Sequence, residues 1–202
     1  MEFSDSKEKV SKIISLRKLY KPTSPDIIKM VKLYVCKICG EPYIGGEAPD
    51  DCPFCGAPKS YLRSAEEYNE LWKTELSEQE KSDMKETLQL EINATAYYQD
   101  VVDKNQKYSE QNRLFKQLMR VEKEHAEMAV KFLGIELPEF TGETSKGSIE
   151  ADLEKTKELE EGAIEKYQGF LKNAENDNLK NFYIALIHAE QGHKDIADNE
   201  LK

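Results

Sequence analysis

The chain has 202 residues, enough for one or two domains. Charged residues make up 34 % and hydrophobic residues 39 %, as in a soluble helix-rich protein, and a net charge of −10 without a basic aromatic cluster argues against nucleic acid as a partner. No apolar run reaches the roughly 18 residues of a membrane span, and Met1 to Asp5 has no apolar h-region, so no membrane partner, no secretory signal and a cytoplasmic location are expected.

Residues 1–33 form a polar, Lys-rich N-terminal extension. Within it, Val10, Ile13, Ile14 and Leu16 predict a short amphipathic helix between Lys7 and Tyr20, which Pro22 and Pro25 break. No function attaches to this segment. Residues 34–62 differ in kind: they hold all four cysteines, are rich in Gly and Pro, and lack helical periodicity. Such a small loop-rich module needs a staple to fold. Its cysteines form two knuckles, Cys36-Lys37-Ile38-Cys39-Gly40 and Cys52-Pro53-Phe54-Cys55-Gly56. Each second Cys is followed by Gly, which readily takes the positive φ of a tight turn. Two Cys-x-x-Cys pairs in a leaderless chain point to metal binding in a reducing compartment, not to disulfides. Four thiolates hold one tetrahedral metal, zinc or iron. Residues 63–76 read as a linker with some helical character.

Residues 77–202 are helical. Ser77-Glu78-Gln79-Glu80 is a capping box, and the apolar spacing predicts helices over about 78–105, 109–133, 148–175 and 178–200. Glu136 to Gly147, with Pro138 and Gly142, is a long crossover. Two short joints and one long crossover are the layout of a ferritin-like four-helix bundle, so the fold class is mainly α.

Within the bundle one pattern occurs twice. Glu91 stands 31 residues before Glu122-Lys123-Glu124-His125, and Glu160 stands 30 residues before Glu190-Gln191-Gly192-His193. Each half is a lone Glu followed by a Glu-x-x-His, which is the ligand set of a carboxylate-bridged two-metal site. All six residues fall on the apolar stripes of their helices: Glu91 with Met84, Leu88, Thr95 and Tyr98, for example, and Glu160 with Leu153, Thr156, Ile164 and Tyr167. Four buried carboxylates need counter-charge, which two divalent cations supply. Oxygen and imidazole donors suit iron or manganese. Tyr98 and Tyr167 lie at core spacing, with the metal carboxylates as their nearest hydrogen-bond acceptors. Glu124, Glu127 and Glu161 lie off the stripe and are expected in solvent. His188 lies round the helix from Glu190 and is expected at the surface.

With these motifs in place the sequence resembles the rubrerythrins. The two knuckles and the following Ala57-Pro58-Lys59 are similar to a rubredoxin module. The helical part is similar to the family's ferritin-like di-iron domain, and the order, rubredoxin-like module first, is that of reverse rubrerythrins. The resemblance implies a mononuclear Fe(Cys)4 centre on Cys36, Cys39, Cys52 and Cys55, and a non-haem di-iron centre. In that centre Glu91 and Glu160 would be terminal ligands, Glu122 and Glu190 would bridge, and His125 and His193 would bind one iron each. It also implies a cytoplasmic peroxidase that reduces hydrogen peroxide to water. Electrons would come from NAD(P)H through a rubredoxin reductase or similar donor. The alternatives are a dioxygen reductase and a ferroxidase or iron-handling protein. Rubrerythrins carry an extra carboxylate three residues after one lone Glu; this chain has Ala94 and Ala163 at those positions. A homodimer or higher homo-oligomer is expected, paired head-to-tail to bring one chain's knuckles to the other's bundle.

Overall fold

Strand β1 (Lys32–Cys36) lies between β2 (Pro42–Gly45) and β3 (Leu62–Ser64) in an antiparallel sheet, with Tyr34 opposite Tyr43 on one side and Ser64 on the other. These elements come from a computed structural model, which describes residues 32–64, 70–104 and 109–202. The helix expected between Lys7 and Tyr20 lies outside the described residues, as do residues 65–69 of the linker and the joint at 105–108. The sheet is too small to bury a core of its own. It serves as a platform for the two knuckles, whose turns close through Gly40 N–H donating to Cys36 O and Gly56 N–H donating to Cys52 O. Gly40 and Gly56 have φ of 80° and 68°, a region that costs a side chain about 1–2 kcal/mol.

Four helices follow: α1 (Glu78–Lys104), α2 (Ser109–Leu133), α3 (Ile149–Asn173) and α4 (Asp177–Glu200). Each buries one stripe. On α1 the buried set includes Met84, Leu88, Glu91, Thr95 and Tyr98, spaced by three or four residues. Short joints make α1 and α2, and α3 and α4, adjacent pairs, and the long connection from Gly134 to Ser148 carries the chain between them. The result is a mainly α chain, a small cysteine-bearing sheet followed by a four-helix bundle.

The caps are built from the expected residues. Glu80 N–H donates to Ser77 Oγ at 3.3 Å and Ser77 N–H donates to Glu80 Oε2 at 2.9 Å, which closes the capping box. The other Glu80 oxygen accepts the N–H groups of Glu175 and Asn176, so one side chain joins the start of α1 to the start of α4. The crossover is pinned where Ser145 N–H donates to Asp100 and where Ser145 Oγ and Lys146 N–H donate to Asp152.

The sheet module packs on the bundle of its own chain. Cys36, Ile38, Cys55 and Ala57 share a buried apolar cluster with Met84, Leu88, Ala126 and Leu186. The knuckle backbone comes so near α4 that a Cβ on Gly56 would lie 3.0 Å from the Ala189 Cβ. Around this contact His188 pairs with Asp51 at 2.8 Å, Tyr61 donates to Asn181 at 3.4 Å, and Lys131 sits over the Trp72 ring.

Candidate metal centres

The first centre is built by the two knuckles. All four thiols are free and buried, and Cys36 and Cys55 Sγ lie 3.8 Å apart, Cys39 and Cys52 Sγ 3.9 Å. A disulfide needs about 2.05 Å. A tetrahedron with metal–sulfur bonds of about 2.3 Å has edges of about 3.8 Å, so the spacing is that of four thiolates around one metal. Hydrogen bonding among the sulfurs, led by Cys36, together with burial pushes the Cys39 and Cys55 thiols up, while hydrogen bonds from Cys36, Cys39 and Cys55 drive Cys52 down. A cation replaces that shared-proton network with four direct bonds.

The second centre lies in the bundle core, and all four helices contribute to it. Glu91 comes from α1, Glu122 and His125 from α2, Glu160 from α3, and Glu190 and His193 from α4; all are buried. They form two overlapping donor groups, Glu91–Glu122–His125–Glu190 and Glu122–Glu160–Glu190–His193, each with its ligand atoms within 4.8 Å of one another. Glu122 and Glu190 belong to both. Glu122 Oε2 is 3.1 Å from His125 Nδ1, while its Oε1 is 2.9 Å from His193 Nδ1. Glu190 repeats this, with Oε1 3.2 Å from His125 Nδ1 and Oε2 2.8 Å from His193 Nδ1. Two ligands at about 2.1 Å from one metal, at a right angle, stand about 3 Å apart. Each shared carboxylate thus presents one oxygen to each of two positions.

Electrostatics and hydrogen bonding give the same answer. Glu122 Oε1, both Glu190 oxygens and His193 Nδ1 are buried and make no hydrogen bond, which a folded core tolerates only where another partner is due. Burial pushes Glu91 well above the usual carboxylate range, and burial with the neighbouring Glu122 charge pushes Glu160 up to about 8. Burial alone would lower both histidines, yet Glu190 and Glu91 beside His125, and Glu122 beside His193, raise them far more. Glu122 goes the other way: burial opposes its charge, but His193 and His125 hold it low. Protons are the counter-charge of last resort here. Two divalent cations would displace them and satisfy every donor. The residues suit a di-iron site, as the four cysteines suit an Fe(Cys)4 site.

Two tyrosines lock the outer carboxylates. Tyr98 on α1 donates to Glu160 Oε1 at 2.5 Å, and Tyr167 on α3 donates to Glu91 Oε1, so each phenol reaches across to the other half's lone Glu. Burial first, and the adjacent carboxylates second, hold both phenols protonated as donors. Beside these carboxylates lies a cavity of about 50 Å³, lined in part by Leu90, Ala94, Leu159 and Ala163 and reached by Glu91 and Glu160. That volume takes one or a few water-sized molecules.

The two centres meet. Cys55 O lies 3.0 Å from His125 Nε2. A carbonyl only accepts, so Nε2 carries a proton; the second proton, on Nδ1 toward the carboxylates, is the one a metal would displace, leaving the tautomer a metal ligand needs. The head-to-tail pairing expected from sequence is therefore not needed to bring knuckles and bundle together, because the chain's own module makes the contact.

Residues 34–63 match the family model of the rubredoxin-like domain of rubrerythrin. No curated protein and no solved structure gives a match. A rubredoxin-like module with a four-cysteine site, then a helical region, is the order the resemblance implied. Together with the buried carboxylate and imidazole cluster it supports an iron-binding redox protein. Among the described residues no helix is long and apolar enough to cross a membrane.

One sequence expectation needs correction. Glu124 is not in solvent: it is half-buried, and burial together with Glu127 and Glu41 pushes it up to about 7. The knuckle module covers it, which helix periodicity cannot foresee. His188 is exposed and away from both donor groups, as expected, and it ties α4 to Asp51 of the module. Sequence reasoning also missed the Cys55–His125 contact and the bond from Tyr97 to Asp152 at 2.5 Å. Both join residues far apart in the chain, and no local pattern marks them.

Proposed function

We propose that the protein is a cytoplasmic non-haem di-iron peroxidase that reduces hydrogen peroxide to water, drawing electrons from an NAD(P)H-dependent reductase through the Fe(Cys)4 centre. The observation that carries this reading is the Cys55–His125 contact: a knuckle cysteine, through its own carbonyl, holds a histidine of the two-metal donor set. A fused one-electron relay in contact with a two-metal site is of use to a multi-electron reduction and of little use to iron storage. When bound, the iron pair supplies the two electrons of H2O2 + 2 e− + 2 H+ → 2 H2O, and the four-thiolate iron replenishes them singly.

The side chains set the conditions. Glu91 and Glu160 would hold the metals as terminal carboxylates, Glu122 and Glu190 would be shared between them, and His125 and His193 would give one nitrogen donor each. Tyr98 and Tyr167 fix the outer carboxylates, and Tyr167 keeps its phenolic proton at the cavity wall. The small cavity has room for a peroxide-sized neutral molecule. Its alanines support a second reading, dioxygen reduction at the same site, because a lining without a further charge suits an apolar diatomic equally well. Stopped-flow reoxidation of the fully reduced protein, with each oxidant at matched concentration, separates the two. Faster reoxidation by peroxide is expected. Equal rates or faster dioxygen favour the oxidase, and ferric mineral left in the protein favours iron storage.

A further inference from the structure

Peroxide takes two electrons, while a four-thiolate iron passes them one at a time. The metal site therefore meets its oxidant at times with a single electron to give. What surrounds it differs between the halves of the bundle. On one side the Tyr98 phenol bonded to Glu160 has its ring edge-on to Tyr97, with centroids 5.9 Å apart. Tyr97, also fully buried, donates to Asp152 Oδ1 at 2.5 Å. Asp152 accepts in addition from Ser145 Oγ at 2.7 Å and Lys146 N–H at 2.6 Å, and half-buried Ser145 leads to the surface.

On the other side Tyr167, bonded to Glu91, stacks on Tyr183 with centroids 6.1 Å apart. The Tyr183 hydroxyl makes no hydrogen bond to a carboxylate: the Thr87 hydroxyl lies beside it, and Asp83 and Glu80 act on it only through their charge. Each half has its ring pair, but only one pair ends on a base. That difference decides their chemistry. A phenol that loses an electron becomes a strong acid, so its oxidation is feasible only where an acceptor within hydrogen-bond reach takes the proton. Tyr97 has that acceptor and Tyr183 does not.

Resting on the peroxide reading, we propose that Tyr97 is a one-electron reserve for the metal site: its electron leaves through Tyr98 and its phenolic proton passes to Asp152. The balance closes. A half-reduced metal pair held by the six donors would supply one electron and Tyr97 gives the second. Peroxide takes both with two protons from solvent, its O–O bond breaks, and two waters form. The Tyr97 O–H bond has broken, leaving a neutral tyrosyl radical and a protonated Asp152. One electron from the four-thiolate iron and the proton from Asp152 then restore the phenol. At rest the phenol keeps its proton, because burial and the Asp152 carboxylate raise it far above the usual tyrosine range.

A purely structural role for the Tyr97–Asp152 bond, tying the crossover to α1, gives no radical. Iron-loaded full-length protein is poised at one electron per metal pair, mixed with peroxide, freeze-quenched and examined by electron paramagnetic resonance. Peroxide loss is followed in the same samples. An organic radical with tyrosine proton splittings is expected, altered by ring-deuterated tyrosine. Tyr97→Phe and Asp152→Asn should lose it, and Tyr183→Phe should keep it. Iron content is measured for each variant, since Asp152→Asn also removes a crossover anchor. Peptide mass mapping of the peroxide-treated wild type needs no variant: oxidation on Tyr97 and not on Tyr183 is expected, and the reverse overturns the proposal. Peroxide consumption without a radical, or a radical that survives Tyr97→Phe, overturns this inference and leaves the peroxide reading standing. No consumption by the wild type overturns that reading, and this inference with it.

Discussion

Glu122 and Glu190 each turn one oxygen to His125 Nδ1 and the other to His193 Nδ1, whereas Glu91 and Glu160 each face one histidine only. Loss of a shared carboxylate removes a ligand from both metal positions at once. Glu122→Ala or Glu190→Ala should therefore abolish binding of the metal pair and the rise in thermal midpoint that added ferrous iron produces. The visible absorption of the four-thiolate iron should remain, since no cysteine belongs to the bundle donor groups. If that absorption vanished as well, the two centres would not be separable. That these six side chains converge in the bundle core was legible in the sequence, because a polar residue recurring on an apolar stripe has few explanations. Glu124 was not. It lies on the same helix one residue before His125, and only the arrival of the knuckle module, near Glu41, takes it out of solvent.

Among the elements, Glu80 does more than its capping box announces. Burial opposes its charge, but N–H groups of Ser77, Asn176 and Glu175 donate to it and hold it below the usual carboxylate range of about 4.5. A depressed carboxylate gives stability that is complete above its unfolded value and is lost as pH falls through its folded one. Glu80→Ala should cost about 1–3 kcal/mol at neutral pH, the range of a lost cap and a lost charge-assisted hydrogen bond. Unfolding by denaturant from neutral pH down through the acid range checks the sign: the cost should shrink as pH drops below 4.5, because the wild type loses the same contribution. A cost that grew in acid would refute the capping account. The four helices and the long crossover were legible from periodicity, capping and Pro–Gly punctuation. The tie from Glu80 to the start of α4 was not, since it links residues 95 apart. The contact between Gly56 and Ala189 was hidden in the same way, and its tightness predicts a consequence. Ala189→Leu should push the knuckles off α4 and slow electron transfer from the four-thiolate iron to the pair at least tenfold, with both centres still loaded. Flash reduction of the knuckle iron measures this rate.

At the scale of the whole molecule, composition and motif gave two modules in order, but not how they sit. Cys55 and His125 are 70 residues apart, with a linker between, and no sequence pattern distinguishes docking on the chain's own bundle from docking on a neighbour's. The structure has the first arrangement, with the apolar cluster, the His188–Asp51 pair and the Cys55–His125 bond all made within one chain. Wiring inside the chain has a kinetic signature whatever the number of copies that associate. Electron transfer from knuckle to bundle should be first order, with a rate constant unchanged on dilution, because the partners are tethered and their effective concentration does not fall. A mixture offers the sharper test. Cys39→Ser removes the relay and spares the pair, while Glu122→Ala removes the pair and spares the relay. If each chain wires only itself, co-refolding the two variants should restore no steady peroxide turnover with an external reductase. If knuckles dock on a second copy, every mixed dimer would have one of its two junctions joining an intact relay to an intact pair, and turnover would return to a sizeable fraction of wild type. Restoration on co-refolding would mean that the module exchanges between chains in solution, and that the same Cys55–His125 contact is made across an interface.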